Sequence, residues 1–489
     1  MNFAGTYQKH AVTIWLALAI FAGMLRSITA QTSDDVPNKS GLRSPADSNQ
    51  RSPEKTSKQY ISVKAFGALC DGISDDAPAV QKAVDATSWL LFPKGTCFLN
   101  STVTLKNGTQ LRGEGINVSI VRQGSVSGAS MGTFFVNSGS AEEKVTNIRI
   151  SDMTIYGQSD VLGFSQFQHL ISLNGVKNAL VDHVEFRGFR GDGVYLGSGN
   201  IGGDERHNEN VTIRDSLFDG VNHSNRNGIS IIDGNGILIE NNRFINTTQP
   251  KMPGAIDIEP NDNSFHLIAN INIRDNKFIS IGGNVAAISF VLNSLLATVP
   301  SLFRVERNSI TGTSGGILFL TRTKPTATSQ PNRLLIANNI VTTAGRSFVI
   351  SGAKDFRISE NTFSDANSSS LIGYKAEADK CMNGIISKNI FKDIKRVGIT
   401  IFSIDHLEIS KNQFIDVGNG GIGSYAIDFN FGTSSFVSLL DNIVSSPTGK
   451  TAYAIHKEMS HTFFPATNTE RNNRFIGVSG DAFQAFNSQ

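Results

Sequence analysis

The residues best suited to chemistry lie in the stretch Gly254-Ala255-Ile256-Asp257-Ile258-Glu259-Pro260-Asn261-Asp262. Ile256 and Ile258 alternate as the inward residues of a strand do, so Asp257 and Glu259 are expected to point outward together. Two residues along a strand separate their stems by about 6.6 Å. Inverting glycosidases hold their carboxyls roughly 6.5–9.5 Å apart, one protonating the leaving oxygen while the other activates water. The same two side chains could instead hold Ca²⁺, a hard cation that takes several oxygen ligands.

Such a pair needs neighbours. Aligning the flanking strands on their inward residues puts Ser230 one strand before Asp257, Ser289 one strand after, and Tyr195 two before. Arg226 and Asn227 enter the Ser230 strand, and Asp192 enters the Tyr195 strand. The excursion from Gly197 to Asn210 carries Asp204, Glu205, Arg206 and His207 and can overhang the same face. The expected groove therefore has Asp257, Glu259 and Arg226 as its catalytic set. Asp192, Tyr195, Arg206, His207, Ser230 and Asn261 would contact substrate. On a uronic acid, Arg226 would neutralise the carboxylate, and Tyr195 or His207 would take the C5 proton in a β-elimination. Asp428 and Asn430 repeat the outward pattern six coils away, about 29 Å, and are expected to form a solvated face.

The elements that carry these residues repeat. An aliphatic residue, two further residues, Asn, any residue and a large apolar one recur at Ile239-Asn242-Phe244, Ile273-Asn276-Phe278, Val305-Asn308-Ile310 and Ile336-Asn339-Val341. The pattern continues at Ile358-Asn361-Phe363, Ile386-Asn389-Phe391, Ile409-Asn412-Phe414 and Leu439-Asn442-Val444, and a ninth copy keeps Asn473 and Phe475. Three earlier copies, Ile150-Ile155, Val181-Phe186 and Ile213-Phe218, keep the apolar marks without Asn. The marks lie 22 to 34 residues apart, the range of a solenoid or array. Period-two runs such as Gly398-Ile399-Thr400-Ile401 are strand patterning. Irregular spacing suits a single-stranded parallel β-helix, an all-β solenoid in which loops of any length leave each coil. Asn at one corner is expected to take the left-handed conformation and to hydrogen-bond its counterparts above and below. A length of 489 residues would suggest about three globules; the repeat points to one rod.

The ends differ from the repeat. Lys9 and His10 precede the apolar run Ala11–Leu25, and Ser27-Ile28-Thr29-Ala30 follows. Residues 1–30 read as a signal peptide and 31–58 as a disordered linker. Secretion or a periplasmic location is expected, with no membrane contact after cleavage. In that oxidising setting Cys70 and Cys97 can pair, leaving Cys381 free. With 44 Lys+Arg against 42 Asp+Glu the net charge is +2, which argues against nucleic acid held by bulk charge.

Residues 59–115 are read as the N-terminal cap and first strands, and 116–489 as the coils. Asp75 or Asp76 is placed to cap a helix over Ala77–Ala86 that would cover the open end of the column. Here Phe66-Gly67-Ala68, Asp71-Gly72, Asp75-Asp76, Phe92-Pro93-Lys94-Gly95-Thr96 and Leu111-Arg112-Gly113-Glu114-Gly115 resemble the opening of pectate-lyase-superfamily right-handed β-helix proteins. The resemblance implies a right-handed parallel β-helix with a short N-terminal capping helix, in the company of polysaccharide lyases, polygalacturonase relatives, epimerases and tail-spike domains. The adjacent aspartates and Gly-His-Gly element of polygalacturonases are missing, as is the Asp-Pro-His motif of alginate epimerases. An acidic, uronate-containing polysaccharide is the expected partner, cleaved by β-elimination. Inverting hydrolysis of the polygalacturonase type and non-catalytic polysaccharide binding are the alternatives.

Overall fold

Short strands with alternating apolar residues leave one face to bury, and stacking coil upon coil buries that face along a continuous column. The computed structural model of the chain describes residues 59–124, 132–137, 144–201, 204–261, 266–292, 301–321, 332–373, 380–420, 423–463 and 468–478. The expected signal peptide and linker lie outside them. Among the described residues the chain forms an all-β parallel solenoid of about twelve turns with very few helices. A 29-stranded sheet takes two strands from most coils, and a 13-stranded sheet takes one. Apart from the hairpin Gly199–Ile201 with Asp204–Arg206, the pairings are parallel.

The apolar marks stack inside. Phe186, Phe218, Phe244 and Phe278 lie ring on ring with centroids 4.5, 4.6 and 4.8 Å apart, and Phe391 stacks on Phe414 at 4.8 Å. These rings are fully buried. Beside them runs the asparagine ladder. Asn308 Oδ1 accepts from Asn276 N and Asn276 Nδ2, both at 3.0 Å, while Asn308 Nδ2 donates to Ile273 O at 2.9 Å. The same exchange links Asn242 through Asn473. Upstream, Ser216 occupies the asparagine slot and its backbone N–H donates to Asn242 Oδ1 at 3.0 Å.

The ladder corrects one expectation. The left-handed residue is the one before each Asn, such as Asp275 (φ 58), Arg307 (φ 53), Glu360 (φ 60) and Lys388 (φ 57). Asp152 and His183 hold the same conformation where Met153 and Val184 fill the slot, so the corner forms without Asn. The reason is a division of labour. A single αL residue costs only about 1–2 kcal/mol, whereas the side chain that must reach both neighbouring coils has to sit inside.

The first strands continue the same sheet: Trp89–Phe92 pairs with Gln110–Gly113, which pairs with Thr146–Tyr156. A helix spans Ala77–Ala86, with Ala77, Val80, Ala83 and Val84 buried in the core. Asp75 Oδ1 accepts the helix's first N–H, from Ala77 at 3.0 Å. Asp76 instead turns its carboxylate to Leu69 N, Cys70 N and Phe98 N. Cys70 and Cys97 are disulfide-bonded, and Cys381 is a buried free thiol.

Candidate functional site

Strands Val194–Gly197, Ile229–Ile231, Ile256–Ile258 and Ile288–Leu292 are consecutive in the 13-stranded sheet. Their register sets Tyr195, Ser230, Asp257 and Ser289 side by side in one outward row. The predicted exposure of that row needs correction. Asp257 is 1% exposed, and Ser230 and Asp192 are fully buried. Glu259 and Tyr195 are half-buried, and Asn261 is exposed. The cause is the chain entering Ile229–Ile231, whose Arg226 and Asn227 lie against the row. Asp192 and Ser230, expected to touch substrate, therefore form a floor beneath it.

That floor is an ionic network. Arg226 Nη1 donates to Asp192 Oδ2 at 2.8 Å and to Ser230 Oγ at 3.0 Å. Asp192 Oδ1 accepts the backbone N–H of Asn227 at 3.1 Å, and His169 Nδ1 lies 3.2 Å from Asp192 Oδ2. Burial opposes ionisation of Asp192, but Arg226 and His169 hold its carboxyl below the usual carboxylate range. Burial likewise opposes the charge on Arg226, and Asp192 and Asp257 outweigh it, raising the guanidinium further. The His169 ring stacks on Tyr195 at 4.6 Å and 10°. The expected role of Arg226, free to meet a substrate carboxylate, is therefore modified: its charge is already matched by Asp192.

Asp257 is in the opposite condition. Its nearest cation atom, Arg226 Nη2, is 4.0 Å from Oδ2, and Oδ1 has no hydrogen-bond partner among the described residues. The amide of Asn227 fits best with Nδ2 donating to Arg226 O at 3.1 Å and Gly254 O at 3.0 Å, and Oδ1 accepting from Ser230 Oγ. That oxygen then faces Asp257 Oδ2 at 3.4 Å, where only a protonated carboxyl has something to donate. Burial first, and the charge of Glu259 second, push the Asp257 carboxyl up to about 8 against the pull of Arg226. One acid kept protonated beside a more accessible carboxylate is an arrangement suited to proton donation.

Other expected residues lie apart from the row. Arg206 ends the short hairpin and His207 follows it, both half-buried. His207 Nδ1 meets Asp233 Oδ2 at 2.8 Å. Asp233 is fully buried two residues past Ile231, and also accepts Asn208 N at 3.2 Å and Leu267 N at 2.8 Å. This carboxylate ties three coils together and fixes the His207 ring. His169 and Asp233 were missed from sequence, and Asn227 was placed beside the row without a role. A signal was present: His169, Asp192 and Asn227 each stand two residues before a strand of the same sheet, a polar row in its own right.

Calcium does not fit the Asp257–Glu259 pair. The cation takes six to eight oxygens, whereas here the Arg226 guanidinium already lies 4.0 Å from Asp257 Oδ2. Among the described residues the groups of three close candidate ligands lie elsewhere, at Cys70, Asp76 and Cys97 and at Asp182, His183 and Asp215. The first contains the disulfide, and Asp182 is already paired with Arg149 and Arg214.

Asp428 also departs from expectation. It is 5% exposed, with Oδ1 2.8 Å from His456 Nδ1 and Oδ2 accepting from Asn430 Nδ2 at 3.2 Å. It is part of a packed polar cluster rather than a solvated face, because the next coil supplies His456 directly opposite it.

Known proteins resemble the chain over most of its length. Residues 60–277 match the family Rhamnogalacturonase A/epimerase, pectate lyase-like, and residues 293–475 match the right handed beta helix region. Uncharacterized protein YclG of Bacillus subtilis is 23% identical over 416 residues, covering 74% of this chain and 68% of YclG. Mannuronan C5-epimerase AlgE1 of Azotobacter vinelandii is 31% identical over 175 residues, 32% of this chain but only 12% of that protein. The N-terminal fragment of bacteriophage phi29 gene product 12 superposes with a TM-score of 0.64 at 15% identity, covering 88% of this chain and 73% of the fragment. The last likeness is one of fold.

Proposed function

The chain is a pectate-lyase-like right-handed β-helix protein, and from that premise we propose that it is an exported enzyme that cleaves glycosidic bonds in a uronate-containing polysaccharide. Asp257 is the general acid and Glu259 the base. The observation that carries this reading is the buried Asp257, its Oδ1 without a hydrogen-bond partner among the described residues, beside a half-buried Glu259. In hydrolysis Asp257 gives its proton to the glycosidic oxygen as the C1–O bond breaks, and Glu259 takes a proton from the attacking water. The engagement of Arg226 with Asp192 supports hydrolysis, since elimination needs a cation to neutralise the substrate carboxylate.

β-Elimination is the second reading, favoured by the likeness to a mannuronan C5-epimerase. There the base removes the C5 proton, the C4–O bond breaks, a C4–C5 double bond forms, and Asp257 protonates the leaving oxygen.

Incubating the full chain with uronate polysaccharides separates the two: elimination leaves unsaturated, ultraviolet-absorbing ends, and hydrolysis leaves new reducing ends without that absorbance. Binding with neither product would remove both. Asp257→Asn and Glu259→Gln should each lower kcat/KM by about 10²–10⁴-fold with unchanged circular dichroism. Near-normal rates in both would place the chemistry elsewhere.

A further inference from the structure

The outward row does not stop at Ser289. Its register runs on through Leu318, Val349, Leu371 and Thr400 to Asp428 and His456. Asp428 thus stands in line with Asp257, six strand spacings or about 29 Å along the rod. Between them the row is mainly apolar; at each end it is polar. The two ends also share a composition. At the first, Tyr195 stacks on His169, and His169 contacts Asp192. At the second, Tyr425 stacks on His456 at 4.1 Å and 5°, and His456 contacts Asp428 at 2.8 Å.

The difference is access. His169 is 3% exposed, whereas the His456 side chain is 24% exposed. Tyr453, 39% exposed, lies beside Tyr425 with ring centroids 5.9 Å apart. Asp428 fixes His456 through Nδ1, and Nε2 has no hydrogen-bond partner among the described residues. Two tyrosines and a histidine with an available nitrogen offer flat apolar surface and hydrogen-bonding groups together, which is what a sugar ring with its hydroxyls needs. Both Asp428 oxygens have partners, His456 and Asn430, whereas Asp257 Oδ1 has none among the described residues, so the cluster is suited to holding rather than cleaving.

We propose that Tyr425, Tyr453 and His456, backed by Asp428, form a second saccharide subsite that holds a distal part of the same glycan chain laid along the row. This rests on the reading of the Asp257 site as polysaccharide-binding. The test uses the full chain carrying Asp257→Asn, to keep ligands intact, with mannuronate oligomers either shorter or longer than the span to Asp428. Long oligomers should bind more tightly than short ones. His456→Ala, and separately the exposed Tyr453→Ala, should each weaken long-oligomer binding by about tenfold and leave short-oligomer binding unchanged. Equal losses for both lengths, no loss for the long ones, or no binding of any length overturn the subsite. Length-dependent binding that the two substitutions abolish, in a chain whose Asp257 form shows no cleavage, sustains the subsite and removes the cleavage reading.

Discussion

Asp257 and Asp192 lie in one network and are driven in opposite directions. Asp192 faces a guanidinium, a histidine and a backbone N–H, and stays charged. Asp257 faces Glu259 and a carbonyl-type oxygen, and keeps its proton to about 8. An ordinary aspartate carboxyl, as in the unfolded chain, titrates near 3.8, so between about pH 4 and 8 the folded state binds the extra proton. Stability is then lost as pH rises through that window. Asp257→Asn, which has no proton to lose, should flatten the decline, and thermal unfolding at pH 4.5 and pH 8 measures it. An unchanged slope in the variant would mean that Asp257 is ionised in the fold. With Asp257 as the proposed general acid, turnover should fall above about pH 8 as that acid empties.

At the scale of the element, the corner is made by two adjacent residues with separate tasks. Asn361 Oδ1 accepts Asn339 N at 2.8 Å and Asn339 Nδ2 at 2.9 Å, while its own Nδ2 donates to Ile336 O and Ser359 O, both at 3.0 Å. Asn361→Ala strands these groups in the interior and should cost roughly 2–5 kcal/mol. Glu360→Gly, one residue earlier at φ 60, should change stability by less than about 1 kcal/mol, since Gly accepts that conformation. Chemical denaturation of both variants compares them; equal effects would count against the division. The ladder, the Phe column and the strand register were all legible in the sequence because each repeats at one position per coil. The left-handed residue was not, because Asp, Arg, Glu and Lys all occupy it. The burial of Asp257 was hidden for a related reason. Alternation says which way a side chain leaves the strand, but the covering Arg226 and Asn227 come from the turn before the neighbouring strand, which carries no period. The cluster at Asp428 was misread in the same way, because its partner His456 arrives from the following coil.

At the scale of the molecule, each coil touches chiefly the coil before and after it, so stability is close to a sum of local terms. A cross-link at one end should then act on that end. Replacing Cys70 and Cys97 by Ser should cost about 2–5 kcal/mol, with amide protection lost near Trp89–Phe92 and retained near Phe391 and Phe414. Uniform loss along the chain would show that the rod unfolds as one unit.

The register of the outward row has a further consequence. Hydrogen bonding fixes the rise per coil, so Asp257 and Asp428 are marks on a ruler graduated in steps of about 4.8 Å. Duplicating or deleting one coil between them would alter their separation by one graduation and leave each cluster's own contacts intact. In such a scaffold the length of chain recognised and the chemistry done to it are inherited independently.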